Sequence, residues 1–438
     1  MSHKGWLARG LAAVVLFQCL TPAHAELVID ITRGVQEAVP VAIVPFGWRG
    51  GSGAVPSTEV AAVIASDLAR SGRFEPIGER DMIGRPTAGA EVDFSDWRLL
   101  GVEALVMGRV LPSGPDAYNV QFELFDVFGA RQLIGLRVPA NPATLRAVAH
   151  YIADLVYEEL TGEPGAFSAR IAYVAVDRSD TEARYRLVVA DSDGENPIDI
   201  VTSPTPLLSP TWSPDGSQIA YVALEDDGSV IYLQTLTTGE RRVMVSEPGI
   251  NSAPAFSPDG KKLALTLSRG TGNLDIYVMN IALGTRTRIT RSASIDTEPV
   301  WSPDGRSILF TSDRGGGPQI YQVDAKGGNA TRLTFEGSYN ARPRVSPDGT
   351  RLAVVHQDRG GYRIAVVDLK NRSTQVLTDG QLDESPSFAP NGQMIIYATK
   401  SGGRGVLAAV AVDGSVSHRL AAREGDVREP VWSPLPRR

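Results

Sequence analysis

The sequence PVWSPDG, residues 299–305, is one of six related copies whose spacing decides the fold. The others are PTWSPDG at 210–216, PAFSPDG at 254–260, PRVSPDG at 343–349, PSFAPNG at 386–392 and PVWSP at 430–434. They recur every 43 to 45 residues. A period in the low forties with short strands is typical of a β-propeller, in which each repeat is one four-stranded blade. The C-terminal region is therefore predicted to be an all-β six-bladed β-propeller.

Within each copy, Ser-Pro-Asp-Gly has the composition of a tight turn between two strands. Proline presets φ at the second position of a type I turn, while serine suits the first position and glycine the fourth. An aromatic or apolar residue such as Trp301 precedes the turn, and an apolar strand such as residues 219–222 follows it. A turn repeated in every blade has the same role each time, so we assign the motif to folding rather than to catalysis.

The first and last repeats complement one another. Residues 170–203 supply three strands with no motif strand before them, whereas residues 429–434 form a motif strand with nothing after it. The C-terminal strand is therefore predicted to complete the first blade and close the ring, which removes exposed sheet edges between the first and last blades. The propeller is predicted to span residues 166–438.

Residues 26–163 have a mixed pattern that predicts a separate α/β N-terminal domain. Periodicity predicts strands at 41–46, 104–110, 118–125 and 132–138, and helices at 58–70, 95–100 and 141–160. Asn141 is the predicted N-cap of the last helix and Pro142 its first residue. The Gly-Glu-Pro-Gly segment at 162–165 is the predicted domain boundary.

Residues 1–25 have the pattern of a secretory signal peptide. Lys4 and Arg9 are basic, residues 11–20 are apolar, and Ala-His-Ala at 23–25 is a small-residue cleavage pattern. The apolar run has half the roughly 20 residues that a spanning helix needs, so no direct membrane insertion is expected. The exported chain would begin at Glu26 and contain no cysteine, because Cys19 is the only one.

The charge balance excludes one class of partner. The formal net charge is −7, and it becomes about −9 without the two basic residues of the leader. A nucleic-acid-binding protein needs a basic footprint, and the sequence shows none, so no nucleic acid is expected as a partner. The acidic balance favours solubility and would attract a cationic partner.

The residues offer no recognisable catalytic set. There is no G-x-S-x-G nucleophile elbow, no zinc-binding spacing and no glycine-rich phosphate loop. The exported chain retains only His150, His356 and His418, each predicted to be a surface or packing residue. We predict a binding protein without cofactor or metal. A propeller enzyme and a carbohydrate- or peptidoglycan-binding module that uses tryptophans for stacking remain the alternatives.

The sequence resembles the TolB family, the periplasmic component of the bacterial Tol-Pal envelope system. The resemblance rests on VPFGW at 44–48, GAFSARIAYV at 165–174, LSPTWSPDG at 208–216, NLDIYVMN at 273–280, DTEPVWSPDG at 296–305 and LDESPSFAPNG at 382–392. Ser-Pro-Asp-Gly repeats also occur in peptidase-associated propellers. The preceding α/β domain, the blade count and the final PVWSP together are specific to the family.

The resemblance implies a periplasmic scaffold that supports outer-membrane integrity and cell division. It would bind the lipoprotein Pal through the propeller, with Ala253 and Thr297 at positions that matter for this contact. Ile250 stands where the family often carries histidine. It would bind the inner-membrane protein TolA through an N-terminal segment able to add as a strand to a partner's sheet, namely Glu26, Leu27, Val28, Ile29, Asp30 and Ile31. A first strand or a frayed terminus is the alternative for this segment.

The loops that enter the six motif strands are expected to gather at one end of the central channel and form a composite binding surface. The candidate partner-binding residues there are Asn251, Ser252, Ala253, Asp296, Thr297, Glu298, Asn340, Arg342, Asp383, Glu384, Asp426 and Arg428. With Glu429, these loops carry six acidic and two basic side chains. Such a surface favours a cationic or hydrogen-bond-donating partner. Clustered carboxylates also suit calcium, although no calcium-loop spacing is present.

Overall fold

A mixed sheet with helices on both faces forms the N-terminal domain. The computed structural model describes residues 38–50, 58–178, 183–269, 272–420 and 425–436. The elements of this domain are β1 (Val39–Ile43), β2 (Gly47–Trp48), α1 (Val60–Arg70), β3 (Phe74–Pro76), α2 (Phe94–Leu99), β4 (Ala104–Gly114), β5 (Ala117–Asp126), β6 (Arg131–Ala140) and α3 (Leu145–Thr161), with 3-10 turns at Glu79–Asp81 and Gly89–Glu91. The sheet order is β3-β1-β4-β5-β6, with β2 also paired to β4. The α/β class predicted from the sequence is confirmed.

Alternating side chains of β1 divide this core into two layers. Val41 and Ile43 pack with α1 and α3 on one face of the sheet. Ala42 and Val44 pack with Trp97 of α2 on the other face. This alternation is the period-two pattern expected of a strand covered on both sides.

Two boundaries predicted in this domain were wrong. The strand predicted at 41–46 ends at Ile43, and pairing with β4 resumes at β2. Pro45 lies in the gap, and proline lacks the N–H that a continuous ladder needs. The last helix begins at Leu145 rather than at Pro142. Asn141 and Thr144 exchange hydrogen bonds of 2.9 Å between side chain and backbone, so Asn141 stabilises a turn that precedes the helix.

The propeller consists of six four-stranded antiparallel sheets, as predicted. Its strands are β7 (Arg170–Arg178), β8 (Ala183–Asp191), β9 (Ile198–Ser203), β10 (Leu207–Trp212), β11 (Gln218–Glu225), β12 (Gly228–Thr235), β13 (Arg241–Val245), β14 (Asn251–Phe256), β15 (Lys262–Leu267), β16 (Asp275–Asn280), β17 (Arg286–Arg288), β18 (Asp296–Trp301), β19 (Ser307–Ser312), β20 (Gln319–Asp324), β21 (Thr331–Arg332), β22 (Asn340–Val345), β23 (Arg351–Asp358), β24 (Gly361–Asp368), β25 (Thr374–Val376), β26 (Glu384–Phe388), β27 (Met394–Ser401), β28 (Arg404–Ala411), β29 (Ser417–Arg419) and β30 (Asp426–Trp432). The motif strands β10, β14, β18, β22, β26 and β30 each begin one sheet and pack against the next, forming the inner ring.

The C-terminal strand closes the ring. β30 pairs antiparallel with β7, from Asp426 opposite Val176 to Trp432 opposite Ile171, and completes the sheet β30-β7-β8-β9. Beyond the strand, the Ser433 N–H donates to the Arg170 carbonyl at 2.7 Å, and the Ser433 hydroxyl accepts from the Arg170 N–H at 2.8 Å. The first blade is therefore built from the two ends of the propeller sequence.

The repeated motif forms the predicted turn and also contacts the neighbouring blade. In the fourth blade the Gly305 N–H donates to the Ser302 carbonyl at 2.9 Å, and Gly305 adopts a φ of 68°. A Cβ on this glycine would lie 3.6 Å from Pro258 of the preceding motif. The Trp301 side chain is 6% exposed and donates to the Ala255 carbonyl of the preceding inner strand at 3.1 Å. The motif thus joins adjacent blades as well as adjacent strands.

None of the helices in the described part of the chain has the length and apolar character needed to cross a bilayer.

Deleting residues 429–438 is expected to remove most of β30 and open the ring. Because the paired edge of β7 would then be exposed, thermal unfolding should shift to a markedly lower temperature. A control ending at Pro436 retains β30 and the Ser433 bonds and should melt like the full chain. A 429–438 deletion that melts at the wild-type temperature would contradict the closure.

Trp301→Ala is expected to lower the free energy of unfolding by about 3 to 5 kcal/mol, the usual cost of removing a buried aromatic side chain. Trp301→Phe retains most of the packing and loses the hydrogen bond, so its cost should be nearer 1 kcal/mol, roughly the net value of such a bond. Chemical denaturation measures both values. Equal, negligible effects of the two substitutions would show that the indole of Trp301 does not contribute to the contact between blades.

Candidate partner-binding face

The inner strands enter the ring at one end of the propeller, here called the entry face, and finish at the Ser-Pro-Asp-Gly turns on the opposite end, the motif face. Each inner strand has the same irregularity near its start, where pairing with the second strand shifts. The residue before the proline adopts a positive φ of 47° to 56° in all six blades, at Ser209, Ala253, Glu298, Arg342, Ser385 and Glu429. Backbone strain repeated at equivalent positions is a feature associated with functional surfaces.

The first polar residue of four of the predicted loops serves the blade rather than the surface. Asn251 and Asn340 are both 1% exposed. The Asn251 amide donates to the Ser229 and Glu247 carbonyls at 2.8 and 2.7 Å. The Asn340 amide likewise donates to the Glu336 carbonyl at 2.9 Å. These side chains fix the loop to the body of the blade.

Asp296 and Asp383 are also buried, which corrects the expectation that they contribute charge to the binding surface. Asp296 is fully buried and accepts two hydrogen bonds of 2.8 Å from one nitrogen of the Arg314 guanidinium. Asp383 is 1% exposed and accepts from the Gly380 N–H at 3.2 Å. Burial of a carboxylate requires a paired charge or hydrogen bonds. Arg314 supplies both for Asp296, whereas only Oδ2 of Asp383 has a hydrogen-bond partner. The sequence count of six acidic groups therefore overstates the accessible charge.

Arg342 links charges across the channel at the entry face. Its Nε lies 3.3 Å from Glu298 Oε1, and an Nη lies 3.8 Å from Glu429 Oε1 on the closing strand. The same guanidinium contacts the Ser385 hydroxyl, and Glu429 accepts from the Ser209 N–H. Burial alone would lower the pKa of Arg342, but Glu429 and Glu298 outweigh it and raise the pKa. Four blades are thus joined through one cation.

Three further candidates, Glu384, Asp426 and Arg428, line a depression between the last and first blades. Its volume is about 270 Å³, and Arg178, Glu384, Lys400, Asp426 and Arg428 contribute its charged lining. Asp426 accepts from the Gly405 N–H at 2.8 Å and lies 3.9 Å from both Arg178 and Arg428. This depression exists only because β30 closes the ring.

Two exposed apolar residues at the entry face were not among the predicted binding residues. Ile250 and Ile295 are 49% and 47% exposed, and each immediately precedes a buried loop residue. Equivalent positions carry Tyr339 and Leu382 in the next two blades. Ser252, Ala253 and Thr297 lie beside them and are partly accessible. An apolar residue at the same place in successive repeats was the signal available in the sequence.

The N-terminal domain contacts the opposite end of the propeller. The Asn391 amide in the sixth-blade motif turn donates to the Pro164 carbonyl at 3.0 Å. Arg146 of α3 lies 3.2 Å from Asp191, at the end of β8. Strand β8 ends on the motif face because its chain direction matches that of the inner strands. In the described part of the chain, the contacts between the domains therefore lie away from the entry face.

The three histidines occupy structural positions. His150 is buried between the two domains, and His356 is 7% exposed with its Nδ1 2.9 Å from Asn340 Oδ1. Burial lowers the pKa of His356, and burial lowers that of His418 to about 4. His356 lies in β23, whereas His150 and His418 both lie at the domain interface, where Arg70 pairs with Asp67 and lines a cavity with His418. Trp212 and Trp301 are each 6% exposed, so they are not stacking platforms for a carbohydrate.

One group of side chains has donor atoms close enough to suit a metal. Among the described residues, His150, Asp191 and Asp193 form the only such group, and their atoms lie within 4.8 Å of one another. Arg146 forms ion pairs with both carboxylates, which offsets one of their two negative charges and occupies an oxygen of each. The group lies at the domain interface and includes none of the entry-face carboxylates considered from the sequence.

Comparison with known proteins covers both domains. Residues 27–133 match the TolB amino-terminal domain, and residues 157–436 match the TolB beta propeller domain. The chain is 52% identical over 428 residues to the Tol-Pal system protein TolB of Thioalkalivibrio sulfidiphilus, covering 97% of this chain and 98% of that protein. It is 53% identical over 427 residues to that of Nitrosococcus oceani, with the same coverage. The crystal structure of TolB from Acinetobacter baumannii superposes with a TM-score of 0.83 and 41% identity, covering 91% of this chain and 97% of that one.

Asp296→Ala is expected to destabilise the protein by about 3 to 5 kcal/mol, because it leaves the partly buried Arg314 cation without its partner. Asp199→Ala is the matched control, since that carboxylate is 44% exposed and its pairing with Arg186 is worth at most about 1 kcal/mol. Urea unfolding compares the two. Equal, small losses would mean that Asp296 does not anchor its blade.

Proposed function

The chain belongs to the TolB family of the Tol-Pal system, and on that premise we propose that it is a non-enzymatic periplasmic scaffold. The entry face of the propeller binds a Pal-like outer-membrane lipoprotein. The segment Glu26 to Ile31, which lies outside the described residues, binds a TolA-like inner-membrane protein. This bridge across the envelope supports outer-membrane integrity and cell division, and other envelope proteins are further partners.

The exposed isoleucines of the entry face are the observation that carries this proposal. Ile250 and Ile295 occupy equivalent positions, directly before the inner strands of adjacent blades, and each is about half exposed at the face away from the N-terminal domain. Apolar side chains grouped within a polar surround are typical of protein-binding surfaces. Their position next to Ala253 and Thr297 agrees with the residues that the family resemblance selects for the Pal contact.

The charges at the entry face favour a partner that supplies hydrogen-bond donors. Glu298 and Glu384 are partly accessible there, whereas Arg342 is already paired with Glu298 and Glu429. Carboxylates arranged around an apolar patch discriminate against acidic partners and orient a complementary one. We therefore expect amide, hydroxyl or cationic groups on the lipoprotein opposite these glutamates.

Export is the part of the proposal that rests on residues 1–25. The predicted leader directs the chain out of the cytoplasm, and the exported form has no cysteine to react in an oxidising compartment. The periplasm is the compartment in which one chain can reach proteins held at both membranes.

The TolA-like contact is tested by deleting residues 26–37 from the exported form. In a pull-down from envelope extract, we expect the deletion to lose the TolA-like protein and keep the lipoprotein. A matched sample of the undeleted chain should capture both. Retention of the TolA-like protein by the deletion would place that contact elsewhere.

The lipoprotein contact is tested by the double change Ile295→Asp and Thr297→Arg, which adds charge to the entry face. Glu298 is left intact because it accepts hydrogen bonds from the Thr311 hydroxyl and the Arg342 N–H at 2.8 and 2.9 Å. We expect calorimetry with the soluble domain of the Pal-like lipoprotein to show affinity about tenfold weaker or worse, or about 1.4 kcal/mol.

The control is Leu283→Asp, which replaces an exposed leucine in the turn between β16 and β17, at the motif end of the third blade. It should bind with wild-type affinity, and both proteins should unfold at the wild-type temperature. Unchanged affinity in the double variant would rule out this part of the entry face.

A further inference from the structure

A buried histidine stands between the two domains. His150 of α3 is 2% exposed, and its Nδ1 lies 2.6 Å from Oδ2 of Asp67, a fully buried residue of α1. Its Nε2 faces the propeller, 3.7 Å from Oδ2 of Asp191 at the end of β8. The imidazole is thus flanked by one carboxylate from each domain, although the three residues are far apart in the sequence.

Charged groups from α1, α3 and the propeller surround this imidazole, and His418 of β29 faces Arg70 at the same interface. From α1 come Asp67 and Arg70, from α3 Arg146 and Asp154, and from the propeller turn Asp191 and Asp193. Arg146 pairs with both propeller carboxylates. Arg70 pairs with Asp67, and its guanidinium lies 3.5 Å from the Ser192 carbonyl of the same turn.

The charges around His150 sum to a net negative charge, which favours a cation at this position. Asp67, Asp191 and Asp193 are three carboxylates, whereas Arg70 and Arg146 supply two positive charges. Asp154, one turn further along α3, accepts from the Phe167 and Ser168 N–H groups at 2.6 and 3.1 Å. Burial raises the pKa of Asp154. When that group ionises, it adds negative charge on the same side.

An imidazolium fits this position better than a neutral ring. It donates from both nitrogens, whereas a neutral imidazole has a lone pair on one of them. With Nδ1–H bonded to Asp67, that lone pair would lie on Nε2, buried without a hydrogen-bond partner and 3.7 Å from the Asp191 carboxylate, which would repel it. Burial alone would lower the pKa of His150, but the carboxylates of Asp191 and Asp67 outweigh it and raise the pKa to about 9.

We propose that His150, as an imidazolium, is a positioning residue that holds the N-terminal domain on the motif face by bridging Asp67 and Asp191. Its consequence for function rests on the proposed scaffold role, in which one partner binds near the N-terminal domain and the other at the entry face. A fixed orientation of the two domains then fixes the two partners relative to each other.

The link depends on pH in a defined direction. The pKa of His150 in the folded protein is raised above the value of about 6.5 expected in the unfolded chain. The stabilisation is therefore fully present below about pH 6.5 and is lost as the pH rises through about 9. The two domains should be most firmly connected at acidic to neutral pH and loosen in alkaline solution.

Histidine NMR measures this directly in the complete protein. The Cε1–Hε1 signal of His150, assigned with His150→Gln, should titrate near pH 9. In Asp191→Asn the pKa should fall by one unit or more, because the propeller's carboxylate is gone. Asp199→Asn is the matched control: it removes an exposed carboxylate of the same blade and should leave the pKa unchanged.

Hydrogen exchange of α1, α3 and the turn after β8 gives the second readout. After correction for intrinsic rates, wild-type protection should decrease as the pH passes about 9. In His150→Gln it should be lower than in wild type at neutral pH and should not show that decrease. A wild-type pKa at or below 6.5, or an unchanged pKa in Asp191→Asn, would overturn the proposal. Neither measurement uses a partner protein, so the test of His150 is independent of the lipoprotein titration.

Discussion

Pairing of β30 with β7 is the constraint on which the rest of the structure depends. It gives the first blade its inner strand and satisfies a sheet edge that would otherwise be open. The same strand carries Glu429, which contacts Ser209 and Arg342 from two other blades, and Val431, whose carbonyl accepts from Trp212 at 3.3 Å. Closure therefore does more than complete one sheet, because the charge network of the entry face and the depression beside it include residues of the closing strand.

The two ends of the propeller differ in their chemistry and in their contacts. The motif face presents tight turns, and its first and sixth blades contact the N-terminal domain through hydrogen bonds and charges around His150. The entry face combines strained backbone, paired charges and exposed isoleucines. In the proposed scaffold, this separation would keep the two domains fixed while one face remains accessible to a partner.

The sequence predicted the repeat architecture well because every blade is specified locally. Proline, glycine and an apolar strand occur at fixed offsets in each copy, so blade number and closure follow from spacing alone. The roles of individual loop residues could not be predicted in this way. Asp296 and Glu298 are two acidic residues in one loop, yet only Asp296 is fully buried, because Arg314 reaches it from the second turn of the same blade. The contacts of His150 with Asp67 and Asp191 could not be predicted from the sequence either, because they depend on how the two domains pack.

The central claim is that the entry face, formed by closure of the ring, receives the outer-membrane lipoprotein. Hydrogen–deuterium exchange of the protein with and without the soluble domain of a Pal-like lipoprotein tests it most directly. The account predicts new protection in peptides that span 250–253, 295–298 and 339–342, with none in the motif turn at 389–392. Protection confined to the motif turns, or to the N-terminal domain, would contradict it.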